Sequence, residues 1–303
     1  MATISASAAI GGYARIAFGE ETTWGTAPAA TKVFRTTACT LNLERDTLES
    51  KELRSDRQIA DVRLGTYNVS GDLDCEVIVG GCDDMLAAAL FGAWSTNVLK
   101  AGIIETAVTI EKGYTNISQF HVFTGCMVDK WTLSCKPNEM VTSKFSFKGR
   151  TMTQATSAIA TPSAATTNSP CDAFTGALKE GGSTIAYITS VDLTLDNGIA
   201  AVPVVGSKFP YRLAPGRSKL TGNMSAVFVD AALLTKFINE TASSLEIVLT
   251  SGAKSFTVLI PKVIYTGAKS DINTEQVLQL EMPFYGVLDS TTENTNLKIT
   301  RVP

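Results

Sequence analysis

The sequence predicts a mainly β fold in which two tandem antiparallel β-sandwich or barrel domains each carry one short flanking helix. Three observations support this prediction. Apolar and polar residues alternate with a period of two along several segments, short motifs recur between the halves, and hydrophobic residues make up 45% of the 303 residues against 18% charged. Such a composition supplies a packed core, and alternation buries one face of each strand while the other stays in water.

Five segments alternate most clearly. In the first, Asp72, Asp74 and Glu76 point to one face while the apolar residues between them point to the other. One apolar face and one polar face are typical of antiparallel sheets. The predicted strands are 69–79, 130–135, 141–149, 191–196 and 278–284.

Two short segments, Asp83–Gly92 and Asp230–Glu240, are predicted to be helices, each directly after a strand. Acidic residues open the first segment, and a helix N-terminus favours negative charge. Gly92 suits the helix C-terminus, where a left-handed residue is common.

The two halves share motifs in the same order. TLNLE at 40–44 resembles DLTLD at 192–196, and VSG at 69–71 resembles LTG at 220–222. KFSFKG at 144–149 resembles EMPFYG at 281–286. The separation falls from 151 residues in the second motif to 137 in the third, so we expect extra residues within 94–119 of the first half. The pattern favours a duplication; the alternative is a general likeness between β-meanders.

These observations predict the domain organisation. Residues 1–30 form an N-terminal arm, and residues 31–150 form the first domain. Residues 151–183, rich in Ser, Thr, Ala, Gly and Pro, form a linker or surface excursion. Residues 184–303 form the second domain, with a polar C-terminal tail at 289–303 that we expect to be mobile in the free subunit.

Residues 44–63 form the most charged segment of the chain. Acids and bases are interspersed without strand alternation. This chemistry favours a solvent-exposed helix held by pairs at i,i+4. The functional alternative is a protruding arm that docks on a neighbouring subunit.

The sequence predicts no catalytic, cofactor-binding or metal-binding residues, and the protein is not expected to be an enzyme. The single histidine, His121, lies in a strand-like run, which favours a structural role. A net charge of −3 gives no basic patch for nucleic acid, and no stretch has the apolar length of a membrane helix. The six cysteines lack metal-ligand spacing and are expected to be buried thiols: Cys39, Cys75, Cys82, Cys126, Cys135 and Cys171.

Several stretches resemble one known family. They are YARIAFGEETTWGTAP at 13–28, SKELRSDRQI at 50–59, VSGDL at 69–73, TIEKGY at 109–114 and FTGC at 123–126. Together they cover most of the first half, and the second half matches more loosely. On these residues the sequence resembles the major tail tube proteins of siphophages, bacteriophages with long non-contractile tails.

The resemblance implies a structural virion protein whose strands join those of neighbouring subunits in a β-barrel ring, and whose rings stack into a tube for DNA ejection. A long loop bridges to the adjacent ring; here it is the segment 44–63. Its charged residues are Glu44, Arg45, Asp46, Glu49, Lys51, Glu52, Arg54, Asp56, Arg57, Asp61 and Arg63. The candidate lumen-facing residues are Asp72, Asp74, Glu76, Asp192, Thr194 and Asp196, beside which Lys130, Lys144, Lys148 and Lys219 leave open whether the wall is mixed.

The resemblance also implies partners and location. Two tube domains per chain favour a trimeric ring with pseudo-sixfold symmetry, with a hexamer as the alternative. A tape-measure protein and tail completion and tip proteins are the expected partners, and phage DNA passes without specific binding. The protein is expected in the virion tail after assembly in the host bacterial cytoplasm.

Two other functions are weighed against this interpretation. A β-sandwich adhesin or carbohydrate-binding module would show an exposed aromatic platform. A hydrolase would have to use His121.

Overall fold

The computed structural model describes residues 8–185, 187–272, 275 and 277–303, with the side chains of residues 174 and 175 left out. The described helices are α1 (Asp83–Leu90) and α2 (Ala232–Ile238), with short 3₁₀ turns at Gly11–Tyr13 and Thr115–Ile117. The strands of the first half are β1 (Ala14–Glu20), β2 (Lys32–Val33), β3 (Ala38–Cys39), β4 (Asn42–Glu49), β5 (Val62–Glu76), β6 (Val98–Lys100), β7 (Val108–Tyr114), β8 (Gln119–Cys135), β9 (Thr142–Gly149) and β10 (Thr151–Ala155). Those of the second half are β11 (Asp172–Glu180), β12 (Ser183–Thr184), β13 (Ile188–Asp196), β14 (Ala200–Val202), β15 (Arg212–Ala214), β16 (Lys219–Val227), β17 (Ser243–Ser251), β18 (Lys254–Tyr265), β19 (Gln279–Gly286) and β20 (Lys298–Val302).

The mainly β fold with two helices is therefore confirmed. Helix α1 begins at the predicted residue but ends at Leu90, and the left-handed residue after it is Phe91 (φ 50°) instead of Gly92. Helix α2 is shorter than predicted by two residues at each end.

Two antiparallel sheets meet at the long strand β8. Its first part pairs with β7 and β10, and its second part pairs with β9 and β13. Gly125 lies at the change of sheet with φ +66°, where an added Cβ would come within 2.7 Å of the Arg150 side chain. Among the described residues the sheets stay open, so one chain contains no closed barrel.

The two halves have the same order of strands. The first half pairs as β1–β7–β8–β9–β5–β4. The second pairs as β11–β17–β18–β19–β16–β13. Strands β10 and β20 take matching places beside β8 and β18, and each helix follows the matching strand, β5 or β16.

The register agrees as well. Gly71 lies opposite Phe147 and Gly222 lies opposite Phe284. The β7–β8 ladder has an irregularity between residues 108 and 110, and the β17–β18 ladder has one at the matching place, between residues 243 and 245. Matching registers and bulges go beyond a general likeness of meanders, so we infer a duplication. The extra residues of the first half lie between β5 and β7, as the motif spacing indicated.

One large core lies beneath the larger sheet and runs through both halves. It forms because the alternate side chains of β5, β8, β9, β13, β16 and β19 all point the same way. Its largest fully buried side chains are Trp131, Phe123, Phe145, Phe147, Phe256 and Phe284.

Some predictions for irregular segments differ from the structure. The helix favoured by the chemistry of residues 44–63 is wrong, because β4 and β5 form a hairpin there. The predicted linker contains β10 and β11, and the predicted N-terminal arm contains β1, all of them paired in sheets. The C-terminal tail, which was expected to be mobile in the free subunit, contains β20 (Lys298–Val302), and this strand pairs with β18 and β6.

Candidate assembly surfaces

A polar face covers six neighbouring strands from both halves. Because side chains alternate along each strand, the face opposite the core carries every second residue. All six candidate lumen-facing residues lie on this polar face and are half-buried. One row of directly paired residues crosses it from β5 to β19: Asp74, Lys144, Thr132, Thr194, Thr221 and Tyr285.

Lysines on the same face neutralise its carboxylates. The Lys144 Nζ lies 3.3 Å from Asp74 and 3.5 Å from Asp72. The hydrogen bond to Asp74 and the negative charge of Asp74 raise the pKa of Lys144 above its ordinary value. Lys130 lies 3.2 Å from Asp196, and Ser134 donates a hydrogen bond to Asp192 at 2.5 Å.

The polar face is therefore mixed in sign. Lys130, Lys144, Lys148 and Lys219 lie on the same side of their strands as the acids. Opposite charges at such short spacing cancel within a few ångströms, so the face has no extended field that would hold or repel phosphate strongly. The face that carries the candidate lumen-facing residues is thus mixed in charge, one of the two arrangements that the sequence left open.

The segment 44–63 is a hairpin that extends β4 and β5. The two strands remain paired out to Glu49 and Val62. At the turn, Arg54 lies 2.7 Å from Asp56, and the hydrogen bond from Arg54 lowers the pKa of Asp56. The candidate stacking residues thus lie on one projecting element, and some of them form ion pairs within it.

The hairpin of residues 44–63, called the arm from here on, also carries apolar residues that the sequence analysis did not include among the candidate stacking residues. Leu53 is 100% exposed, and Leu48, Ile59, Val62 and Leu64 are each at least half exposed. Exposed apolar groups rimmed by charges are typical of protein–protein contact surfaces. The signal in the sequence was weak, because these residues are spaced irregularly among charges.

The base of the arm contacts the second half. The Tyr67 ring stacks on Phe209 with centroids 5.0 Å apart and planes 8° apart. The Tyr67 amide donates to the Lys208 carbonyl at 2.8 Å, and the Arg45 guanidinium lies 4.8 Å from the Tyr67 centroid. The arm is thus anchored to the connection between β13 and β16.

The sequence profile of a family described as phage tail tube protein matches residues 13–286, which include both halves, the polar face and the arm. The chain belongs to the phage tail tube protein family. A search of the curated proteins found no match. As a member of this family, the protein is a structural component of the virion tail that self-assembles into the tail tube with other tail proteins.

The aromatic platform expected of a carbohydrate-binding module is not formed by the tryptophans of this tail tube protein. Trp131 is buried and donates to the Ser143 hydroxyl at 2.7 Å. The Trp94 ring lies beneath the Arg301 guanidinium at 4.4 Å. Trp24 is likewise half-buried beneath a guanidinium. Each ring is used inside the fold, which weakens the adhesin interpretation.

The surroundings of His121 fit a structural role, which weakens the hydrolase interpretation. Its ring contacts Tyr114 edge-on at 5.2 Å, and burial, followed by the charge of Lys112, lowers its pKa. A structural family also favours a protein without enzymatic activity. Within the described ranges, no three His, Cys, Asp or Glu side chains cluster as a metal site requires.

The cysteines of this tail tube protein are free thiols. Cys39 and Cys135 are half-buried and the other four are buried. Burial raises the pKa of the Cys126 thiol far above its ordinary value, so it stays protonated and unreactive. In the part of the chain that the structure describes, no helix is both long and apolar enough to span a membrane.

Proposed function

We propose that three copies of this chain close into a ring and that the rings stack through the arm into a tube through which phage DNA is ejected. The observation that carries the proposal is a seam between the two halves, where the second part of β8 pairs with β13. Leu195 lies opposite Trp131 in this seam, and Lys130 pairs with Asp196 at 3.2 Å. The sheet and its polar face thus pass from one half to the other without a break.

The two strands that pair in the seam have counterparts at the two ends of the continuous sheet. In the first half, β3 and β4 take the place that β13 takes in the second half. In the second half, residues 266–272, directly after β18, take the place that the end of β8 takes in the first half. Lys269 exchanges two backbone hydrogen bonds of 2.9 Å with Glu281 on one side. On its other side, no strand of the described chain pairs with it.

Repeating the seam between neighbouring copies gives a definite register. Asn42 of one copy then lies opposite Lys269 of the next, and Cys39 lies opposite Ile272, whose side chain is 84% exposed. The Lys112 amine already donates to the Leu41 carbonyl at this edge, at 2.7 Å. That carbonyl must therefore use its second lone pair in the ring. Such pairing removes two exposed sheet edges, which otherwise favour uncontrolled association.

Ring size supports three copies over six. Each chain contributes eight strands or strand-like segments to the continuous sheet, four from each half. With strands about 4.8 Å apart and tilted by about 40°, three chains close at a backbone diameter of roughly 50 Å. Six chains would require roughly 100 Å by the same estimate. A wall of the smaller diameter encloses a DNA duplex without excess space.

The balanced polar face would line this lumen. Phosphates moving past it meet alternating charges and hydroxyl groups, so DNA passes without specific binding. A tape-measure protein would fill the lumen during assembly in the host cytoplasm, and completion and tip proteins would cap the ends. We also propose that the two domains divide after β10 and before β11.

Electron cryomicroscopy of the concentrated protein, with light scattering on the same sample, tests this function. Hollow tubes of stacked rings with three chains per ring are expected. Particles that remain monodisperse at every concentration and ionic strength would refute the tube. Rings of six chains would refute the trimer.

A further inference from the structure

We propose that residues 197–218 form a second ring-stacking element, which docks beside the arm onto a second copy of this chain in the next ring. This inference rests on the proposed function. In this arrangement the second half contacts the next ring through residues 197–218, as the first half is proposed to do through the arm.

The two segments connect matching strands. In the first half, Glu44 lies opposite Asn68, and in the second Asp196 lies opposite Lys219. The connections between them are residues 45–67 and residues 197–218, which are 23 and 22 residues long. Each forms a hairpin, the first from the ends of β4 and β5 and the second from β14 and β15. Both leave the sheet at the same end.

The second hairpin has a fixed base. The buried Asn197 side chain donates to the Ala89 and Val128 carbonyls, each at 2.9 Å. The Ile199 amide donates to Asp129 at 2.7 Å, and Leu213 packs in the same small apolar cluster as Ile199. Such a base holds the tip in one orientation without an external partner.

The tip of this hairpin is apolar and exposed. Val205 is 106% exposed and Tyr211 is 72% exposed. Val202, Val204 and Phe209 are each more than a third exposed. The Tyr67–Phe209 stack joins this tip to the base of the arm, so the two hairpins are in direct contact. A rigid apolar surface of this kind fits a protein partner.

Charge complementarity identifies that partner as the opposite end of the same sheet in another copy. Residues 197–218 contain no carboxylate; Arg212 pairs with Glu105 of the same chain at 2.5 Å, and Lys208 and Arg217 are the exposed cations that remain for a partner. At the far end of β16 and β19, where the Phe228 amide donates to the Leu278 carbonyl, Val229 and Val277 are exposed and the adjoining chain segments carry carboxylates. Those carboxylates are Asp230, Glu240, Asp271 and Glu275.

The geometry of this contact explains a filament. The two surfaces lie at opposite ends of one chain, so their contact is head-to-tail and repeats without closing. With the arm, each chain then places two docking hairpins on the next ring. A pseudo-sixfold ring would alternate the two kinds around its rim.

The variant Val205→Asp tests the apolar contact, with Val302→Asp as the matched control, because Val302 is 52% exposed and lies on β20 away from both surfaces. Sedimentation velocity measures rings, and electron microscopy measures the lowest concentration that yields tubes. Val205→Asp is expected to raise that concentration at least about tenfold and to leave ring formation unchanged. The control is expected to match the wild type.

Each result decides one claim. If the wild type forms no tubes, the proposed function itself is wrong. Wild-type and Val205→Asp proteins that form tubes at equal concentration overturn the second stacking element alone. The charge reversal Lys208→Glu should weaken stacking, and adding Asp230→Lys should restore it; failure to restore overturns the assignment of the far end as the docking surface.

Discussion

A disulfide across the joint between copies tests the ring register. Asn42→Cys and Lys269→Cys in the same chain place two thiols opposite each other only when neighbouring copies pair as the seam does. The template is the seam pair Thr132–Thr194. The Asn197 amide donates to the Asp129 carbonyl at 2.8 Å, so the odd-numbered residues of β13 carry the bonds across the seam.

Thr132 and Thr194 are consequently a non-hydrogen-bonded pair. The Cα atoms of such a pair are about 4.5 Å apart, within the roughly 4.4–6.8 Å that a disulfide spans. The matching pair between copies, Asn42 and Lys269, inherits this spacing. Asp271 lies two positions farther along, at a diagonal distance of about 7–8 Å, so Asn42→Cys with Asp271→Cys is the off-register control.

The assay uses tubes assembled in a Cys39→Ser, Cys135→Ser background, since these are the half-exposed thiols. Mild oxidation and a non-reducing gel are expected to show chains joined in twos and threes and none larger, because a ring of three closes on itself. Unassembled subunits should stay monomeric on the same gel.

The positive control is Thr132→Cys with Thr194→Cys, which forms its bond inside one chain. If that bond forms and the tubes show no bond between chains, the register is wrong. Equal cross-linking by the off-register pair would also refute it. Products of four to six chains would refute the trimer.

Three further predictions concern the subunit itself. Gly71→Ala should lower the free energy of unfolding by about 2 kcal/mol or more, because φ is +149° and an added Cβ would lie 2.4 Å from the Leu41 backbone; urea unfolding against Gly11→Ala, at a site with nothing within 4 Å, checks this. The hydrogen bond from Lys298 lowers the pKa of Glu293 below its ordinary value of 4.5. Its contribution to the free energy of unfolding is therefore present above pH 4.5 and is lost as pH falls through the lowered pKa, so the urea unfolding of the wild type and Glu293→Gln should differ near neutral pH and approach each other as pH falls below 4.5. In a thiol titration of the folded protein, Cys39 and Cys135 alone should react promptly, and all six thiols should react in denaturant; fast reaction of more than two would contradict the described burial.

The predicted strands were those that bury one face. Val69, Leu73 and Cys75 enter the core in alternation, so the pattern of β5 is legible without a structure. The same holds for Phe145 and Phe147 on β9. Local alternation records burial, and it therefore also indicated which residues share the polar face.

The arm was missed as a strand pair for the opposite reason. Beyond the sheet it buries neither face, so Leu48 and Leu53 stay exposed and no period of two is imposed. The ion pair of Lys130 with Asp196 was equally invisible, because it depends on the register between strands 66 residues apart in sequence. Alternation along one segment of sequence indicates which residues are buried, but it does not indicate which residues pair across strands.

The seam between β8 and β13 also bears on how quickly rings can form. It is made within one chain, so half of the joints in the proposed ring arise as each subunit folds, at the high effective concentration of a tethered pair. Association has to supply only the other half, and each encounter costs translational and rotational freedom. A fused pair of domains therefore lowers the concentration at which the first ring, the slow nucleus of a tube, becomes populated in the infected cell.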